Sequence, residues 1–178
     1  MADKMNPIRP TDDDARALAR GLLADARHGA LGVIADGAPM VTRVAVGTAP
    51  DGTPVSLVSD LSAHTQALQS NPACSLLVGE PGTKGDPLTH SRLTLQARAD
   101  FLRHGAPGHR ELAAHYLQTH PKAQLYIGFA DFSFLRLTVC RAFLNGGFGK
   151  AFHLGLADLD LTTQSPNRLT KNEKRPDH

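Results

Sequence analysis

The stretch Val58-Ser-Asp-Leu-Ser-Ala-His-Thr-Gln-Ala-Leu-Gln-Ser-Asn-Pro72 decides how the rest of the chain reads. It opens as the end of an apolar strand, residues 54–59, and turns through Ser59-Asp60-Leu61-Ser62, where hydroxyls and a carboxylate suit a helix cap. A short helix then points Leu61, Ala67 and Leu68 inward until Asn71-Pro72 ends it. A strand delivered into a helix N-terminus leaves backbone N–H groups and the positive end of a dipole open, here among Ser59, Ser62, His64 and Thr65. That is the chemistry of a phosphate cradle, although any strand-to-helix turn needs a polar cap and most caps bind nothing.

Upstream of this turn, residues 30–35, 39–48 and 54–59, separated by Asp36-Gly37 and Asp51-Gly52, predict three consecutive strands in a meander. Arg43 lies in the middle of the second, on the face shared by Val41, Ala45 and Gly47. A guanidinium among small apolar side chains is costly to bury without an anion. Either Arg43 points to solvent from an edge strand, or it meets the Ser59 to Thr65 turn around one phosphate, with a bidentate contact.

Downstream, residues 73–79, 88–102 and 132–144 complete six strands, the fifth long enough to bend or bulge. Alternation on the last sets Phe134, Arg136, Thr138, Cys140 and Ala142 against Ser133, Leu135, Leu137, Val139, Arg141 and Phe143. Leu135, Leu137 and Val139 are expected to need cover from a partner. Helices are predicted on Ala15, Leu18, Leu22 and Ala26 after the acidic Thr11-Asp-Asp-Asp14, over 108–119, and from Pro121 towards Tyr126. The Gly- and Pro-rich loop 80–87, with Lys84, is placed to close over a ligand at a barrel rim. Six strands in meander order with short helices predict a mainly β, antiparallel small barrel flanked by helices.

With 178 residues and 41% apolar composition, one domain with a sizeable core is expected. The expected organisation is a flexible N-terminus over 1–11, the barrel domain over 12–161, and a polar basic tail over 162–178, disordered in solution. The formal charge of +2 is matched by the tail alone, where Arg168, Lys171, Lys174 and Arg175 face Glu173 and Asp177. A neutral body, 5% aromatics and no Trp leave little for nucleic-acid binding. The absence of an apolar leader or an 18-residue apolar run argues against a secretory signal or a membrane span, so a cytoplasmic location is expected. Cys74 and Cys140 form no metal or redox spacing and are expected as free thiols, and no Gly-x-Gly-x-x-Gly or Walker pattern follows a strand.

The order Pro39-Met-Val-Thr-Arg43, the Val58 to Pro72 block and Ser91-Arg-Leu-Thr-Leu-Gln96 resembles the pyridoxamine 5′-phosphate oxidase-like FMN-binding split barrels over roughly residues 12–155. Ala63-His-Thr65, Gly79-Glu-Pro-Gly82 with Asp86-Pro87, His120-Pro121, Tyr126-x-x-Phe129-x-Asp131-Phe132 and Gly147-Phe148-Gly149-x-Ala151 are most similar to the haem-utilisation (HugZ-like) branch. The resemblance implies a six-stranded antiparallel split barrel, a homodimer, and two FMN sites at its interface. By position it implies Arg43 on the phosphate, Ser59 and Asp60 along the phosphate and ribityl side, and His64 with Thr65 completing the phosphate shell. Arg92 would approach the flavin's polar edge, and Phe148 and Lys150, in Gly147-Phe148-Gly149-Lys150, would come from the partner chain. Many flavin-binding members carry Arg or Lys where this chain has Ala63-His64. A neutral imidazole gives one hydrogen bond and no fixed charge, so weaker or pH-dependent FMN binding is expected.

Three functions follow. The first is an FMN-dependent oxidoreductase acting on a small molecule, with no general acid or base assigned. The second is a haem-binding or haem-degrading protein, for which His153 is an axial-ligand candidate by location; no other metal site is expected. The third is a flavin-binding module without turnover.

Overall fold

The computed structural model describes residues 8–161. The expected basic tail and the first seven residues lie outside the described residues, while Ile8 and Arg9 are held against Ala151 by a parallel bridge and by an Arg9 N–H to Ala151 carbonyl bond of 2.9 Å.

β1 (His28–Ala35) and β2 (Ala38–Ala45) form an antiparallel hairpin. Its two-residue turn, Asp36-Gly37, has positive φ at both positions, which suits the right-handed twist of the paired strands. The predicted strand over 39–48 then divides. After Val46 the short β3 (Gly47–Thr48) pairs with β4 (Pro54–Ser59), not with β1. Gly47 suits this break, because a Cβ there would lie 3.0 Å from the Tyr116 ring and the ring would have to give way.

The predicted meander fails at the same place. β4 pairs along its length with β7 (Phe132–Asn145) and has no ladder with β2. The physical reason is composition: Pro54 to Val58 are all buried, so β4 needs cover on both faces. Its Val58 enters one apolar cluster and its Val55 and Leu57 a second. With β5 (Ala73–Val78) and β6 (Arg92–Arg103), the sheet runs β2-β1-β5-β6-β7-β4-β3, and β8 (Ala151–Leu154) pairs with β7. Because β2 and β3 are consecutive, the two ends of the sheet meet in one segment and the sheet closes as a split barrel. Among the described residues eight strands are present where six were expected: one predicted strand is divided, and β8 is additional.

The barrel interior is filled by Leu31, Leu76, Leu95, Leu137 and Leu144, all buried. α3 (His109–Thr119) covers the second cluster from outside, with Tyr116 edge-on to Phe134 at 5.3 Å. The strict alternation predicted for β7 is broken by a register shift opposite Gln96/Ala97. The inward series Leu135, Leu137, Val139 resumes at Ala142 and Leu144, and Cys140 and Arg141 point outward. Leu135, Leu137 and Val139 therefore lie in the chain's own core, and the expectation that they need a partner's cover is overturned.

α1 (Asp13–Asp25) is capped by the Asp12 carboxylate, which accepts from Ala15 N–H at 2.8 Å. It buries Ala15, Ala19 and Leu23 and leaves Leu18 exposed, a face rotated from the predicted one. Arg16 and Arg20 fix that rotation: Arg16 Nε donates to Asp158 at 2.7 Å, and Arg20 pairs with Asp160 at 2.7 Å. Among the described residues no helix is long and apolar enough to cross a membrane.

Leu31 is fully buried at the centre of the barrel. Leu31→Ala is expected to lower stability by about 2–5 kcal/mol, read from the urea midpoint at unchanged m-value.

Candidate functional site

Closure of the sheet through the β2–β3 segment carries β2 past the end of β4 and the start of α2 (Ala63–Ser70). Between them lies a cleft of about 310 Å³, lined on one side by Arg43, Val44 and Ala45, on another by Ser59, Ser62 and His64, and walled by Tyr126 and Phe132. Arg43, Ser59 and His64 are thus brought together as the sequence suggested, although through closure and not through strand pairing.

Arg43 is exposed and forms no ion pair with a described residue. Its guanidinium is left to solvent or to an anion. Ser62 caps α2 by backbone conformation, its carbonyl accepting the Thr65 N–H at 3.0 Å, but makes no side-chain capping bond, so the Ala63 and His64 N–H groups stay open. His64 is partly buried, and that burial pushes its imidazole below the ordinary histidine range. It is therefore neutral at pH 7, with one nitrogen free to accept or to bind a metal. Thr65 is fully buried beneath the turn, and its hydroxyl has no hydrogen-bond partner.

Ser59 behaves differently from the expectation. Its Oγ donates to Asp131 Oδ2 at 2.7 Å and accepts from the Leu61 N–H at 3.1 Å. A carboxylate only accepts, so the single hydroxyl hydrogen belongs to Asp131. Asp60 leaves the cleft: its Oδ1 takes Arg103 Nη1 at 2.6 Å and Gln69 Nε2 at 3.0 Å, and only its backbone N–H bonds Asp131.

The other expected residues lie elsewhere on this chain. Arg92 donates to the Leu88 and His90 carbonyls at 3.0 and 3.3 Å, and it opens β6 opposite Asn145. Phe148 and Lys150, both exposed, sit in the turn after β7, whereas Ser59 pairs with Phe132 at its start. The length of β7 separates the two groups. His153, on β8, is exposed, with its ring edge-on to Phe143 at 5.0 Å. The loop with Lys84 is tied down by His90, whose ring bonds Gly82 N–H at 3.0 Å and the Lys84 carbonyl at 2.9 Å. No cluster of three or more His, Cys, Asp or Glu suited to a metal occurs among the described residues.

Sequence reasoning missed Tyr126, Phe132 and Asp131 as parts of the site. The motif holding them was visible, but without the β4–β7 pairing nothing placed it beside Ser59.

An FMN phosphate in this cleft would meet Arg43, Ser62 and the open N–H groups of α2, and the Ser59–Asp131 pair would add acceptors where donors are wanted. A haem would meet a free cation, a neutral imidazole and two aromatic walls. The cleft in one chain is at the lower limit for a small-molecule site, so either group would extend beyond it.

The CREG beta-barrel family model matches residues 10–160. The chain belongs to that family. The heme oxygenase HOZ of Arabidopsis thaliana chloroplasts is 30% identical over 152 residues, 80% of this chain and 45% of that protein. This chain thus spans less than half of the curated relative it matches. A heme-binding protein from Mycobacterium smegmatis has a structure with a TM-score of 0.74 at 29% identity, over 86% of this chain and 61% of that one. A Clostridium acetobutylicum protein of the pyridoxinephosphate oxidase family shares the fold, with a TM-score of 0.63 at 15% identity over 84% of this chain and 99% of that one. The likeness to the pyridoxinephosphate oxidase-family protein shows a shared split-barrel fold.

His64 is expected to titrate below the ordinary histidine midpoint of about 6.5 when followed by NMR of its ring protons. A pKa lowered on folding costs stability as pH falls below the unfolded value, with the loss complete below the folded one. His64→Gln is expected to flatten that part of the stability profile.

Proposed function

We propose that this CREG-family chain binds haem in the Arg43–His64 cleft. One observation carries the proposal: a cation without an ion-pair partner and an imidazole kept neutral by burial share a cleft walled by Tyr126 and Phe132. Arg43 suits a propionate carboxylate in a bidentate contact, the aromatic rings suit a porphyrin face, and a neutral His64 suits ligation of iron. The relatives at 30% and 29% identity, named for haem chemistry, support the same choice. When bound, haem would supply the redox and oxygen chemistry, and the chain's part would be to hold and orient it.

A flavin reading is favoured by a separate observation, the uncapped N-terminus of α2 beside Arg43, which offers open N–H groups to a phosphate. A homodimer is part of either reading, with Phe148 and Lys150 serving the cleft of a second copy; their exposure, 95% for Phe148, and their place a strand's length from the chain's own cleft support it.

Titration of the purified protein with haemin is expected to give a Soret band that saturates with one haem per cleft. Arg43→Ala is expected to weaken binding by about tenfold or more, the value of one charge-assisted contact. His64→Ala is expected to shift the band, and His153→Ala to leave it in place. The reverse pattern assigns the iron to His153 and removes the cleft from consideration. One FMN per chain with no Soret band would establish the flavin reading instead.

A further inference from the structure

The Ser59–Asp131 pair has no role in the haem reading as stated, yet Ser59 lines the cleft and Asp131 is hydrogen-bonded to it. Ser59 Oγ lies 2.7 Å from Asp131 Oδ2 and 3.1 Å from the Leu61 nitrogen. The directions follow from chemistry alone: an amide N–H donates, and a carboxylate accepts. The hydroxyl's one hydrogen is spent on Asp131, so Ser59 can show a ligand nothing but a lone pair. Behind it stands a negative charge. Arg43 is the only guanidinium lining the cleft among the described residues, and His64 adds no charge while neutral.

A phosphate monoester carries close to two negative charges at neutral pH; Arg43, Ser62 and the open N–H groups of α2 would meet it on one side, and on the Ser59 side it would meet an oxygen with no hydrogen to give, backed by a carboxylate. A propionate carries one charge, which Arg43 can match. We infer that Asp131, acting through Ser59, is a specificity-determining residue that disfavours phosphate dianions and leaves the cleft to monoanionic carboxylates. This rests on the haem reading for the identity of the favoured ligand, but the discrimination itself depends only on the hydrogen-bond direction.

Asp131→Asn makes the reverse direction available. Its amide can donate to Ser59 Oγ, which frees the hydroxyl hydrogen to turn into the cleft, and it removes the charge as well. Flavin affinity is measured by fluorescence quenching for FMN and for riboflavin, which differ only in the phosphate. The FMN-to-riboflavin affinity ratio is expected to stay within about threefold of unity in the wild type. It should rise about tenfold or more in Asp131→Asn, as one charge-assisted hydrogen bond is gained and one repulsion lost. Ser59→Ala is expected to raise the wild-type ratio, because the lone pair goes while the charge of Asp131 stays, by less than Asp131→Asn does, and to cancel a substantial part of the gain in the Asp131→Asn background, a coupling that a purely structural role would not produce. Asp131→Ala, which also frees the hydroxyl, is the second variant, with folding of each checked by circular dichroism.

Three results would overturn the inference: a ratio unmoved in both Asp131 variants, no measurable flavin binding by any variant, or a fall in the ratio on Ser59→Ala in the wild type. Haemin titration of the wild type separates this from the proposed function. A Soret band with an unmoved ratio sinks only the role of Asp131, and a raised ratio without a Soret band sinks only the haem reading.

Discussion

The fold depends on one break in one strand. Because the segment holding β2 and β3 divides around Val46, it serves as both ends of the same sheet, and the sheet can only close on itself. Val46 is almost wholly buried, and its N–H is taken by the Arg27 carbonyl at 3.0 Å, so the interruption is hydrogen-bonded and not a loose hinge. Closure also delivers Arg43 to the mouth of α2 without a ladder between β2 and β4.

Much of this was legible in the residues. The hairpin at Asp36-Gly37, the helix ended by Asn71-Pro72 and the association of Arg43 with Ser59 and His64 follow from turn chemistry, capping and the cost of an isolated guanidinium. The pairing of β4 with β7 was not legible, because period and turn signals describe neighbours in sequence, and this pair is set by the burial of β4 on both faces. An irregularity was expected on the fifth strand and the register does shift at Gln96/Ala97, but the extra residue sits opposite, on β7, where it reverses every later orientation and nothing in the composition announces it.

The candidate site was legible in kind more than in detail. Polar residues near a helix start can be read from sequence, but the direction of a hydroxyl hydrogen cannot. Ser59 was expected to serve an anion, and Asp131, which claims that hydrogen, lies 72 positions away. Asp60 was expected beside Ser59 in the site, yet adjacent residues on an extended chain face opposite ways, and Arg103 draws it outward. The choice between flavin and haem turns on details of that kind, since one scaffold holds both chemistries.

The ties between the two ends of the described chain have a consequence for how it folds. Arg9 reaches Ala151, the Thr11 hydroxyl bonds the His153 carbonyl, and Arg16 holds Asp158, each contact spanning 142 positions. Contacts of such separation carry a large loop-closure entropy and slow the search for the native topology. The same proximity means that a short linker joining the two ends would replace that search with a local one. New termini opened in the exposed loop between β5 and β6 would then cut no strand, and the barrel would be built by a chain with a different first and last residue.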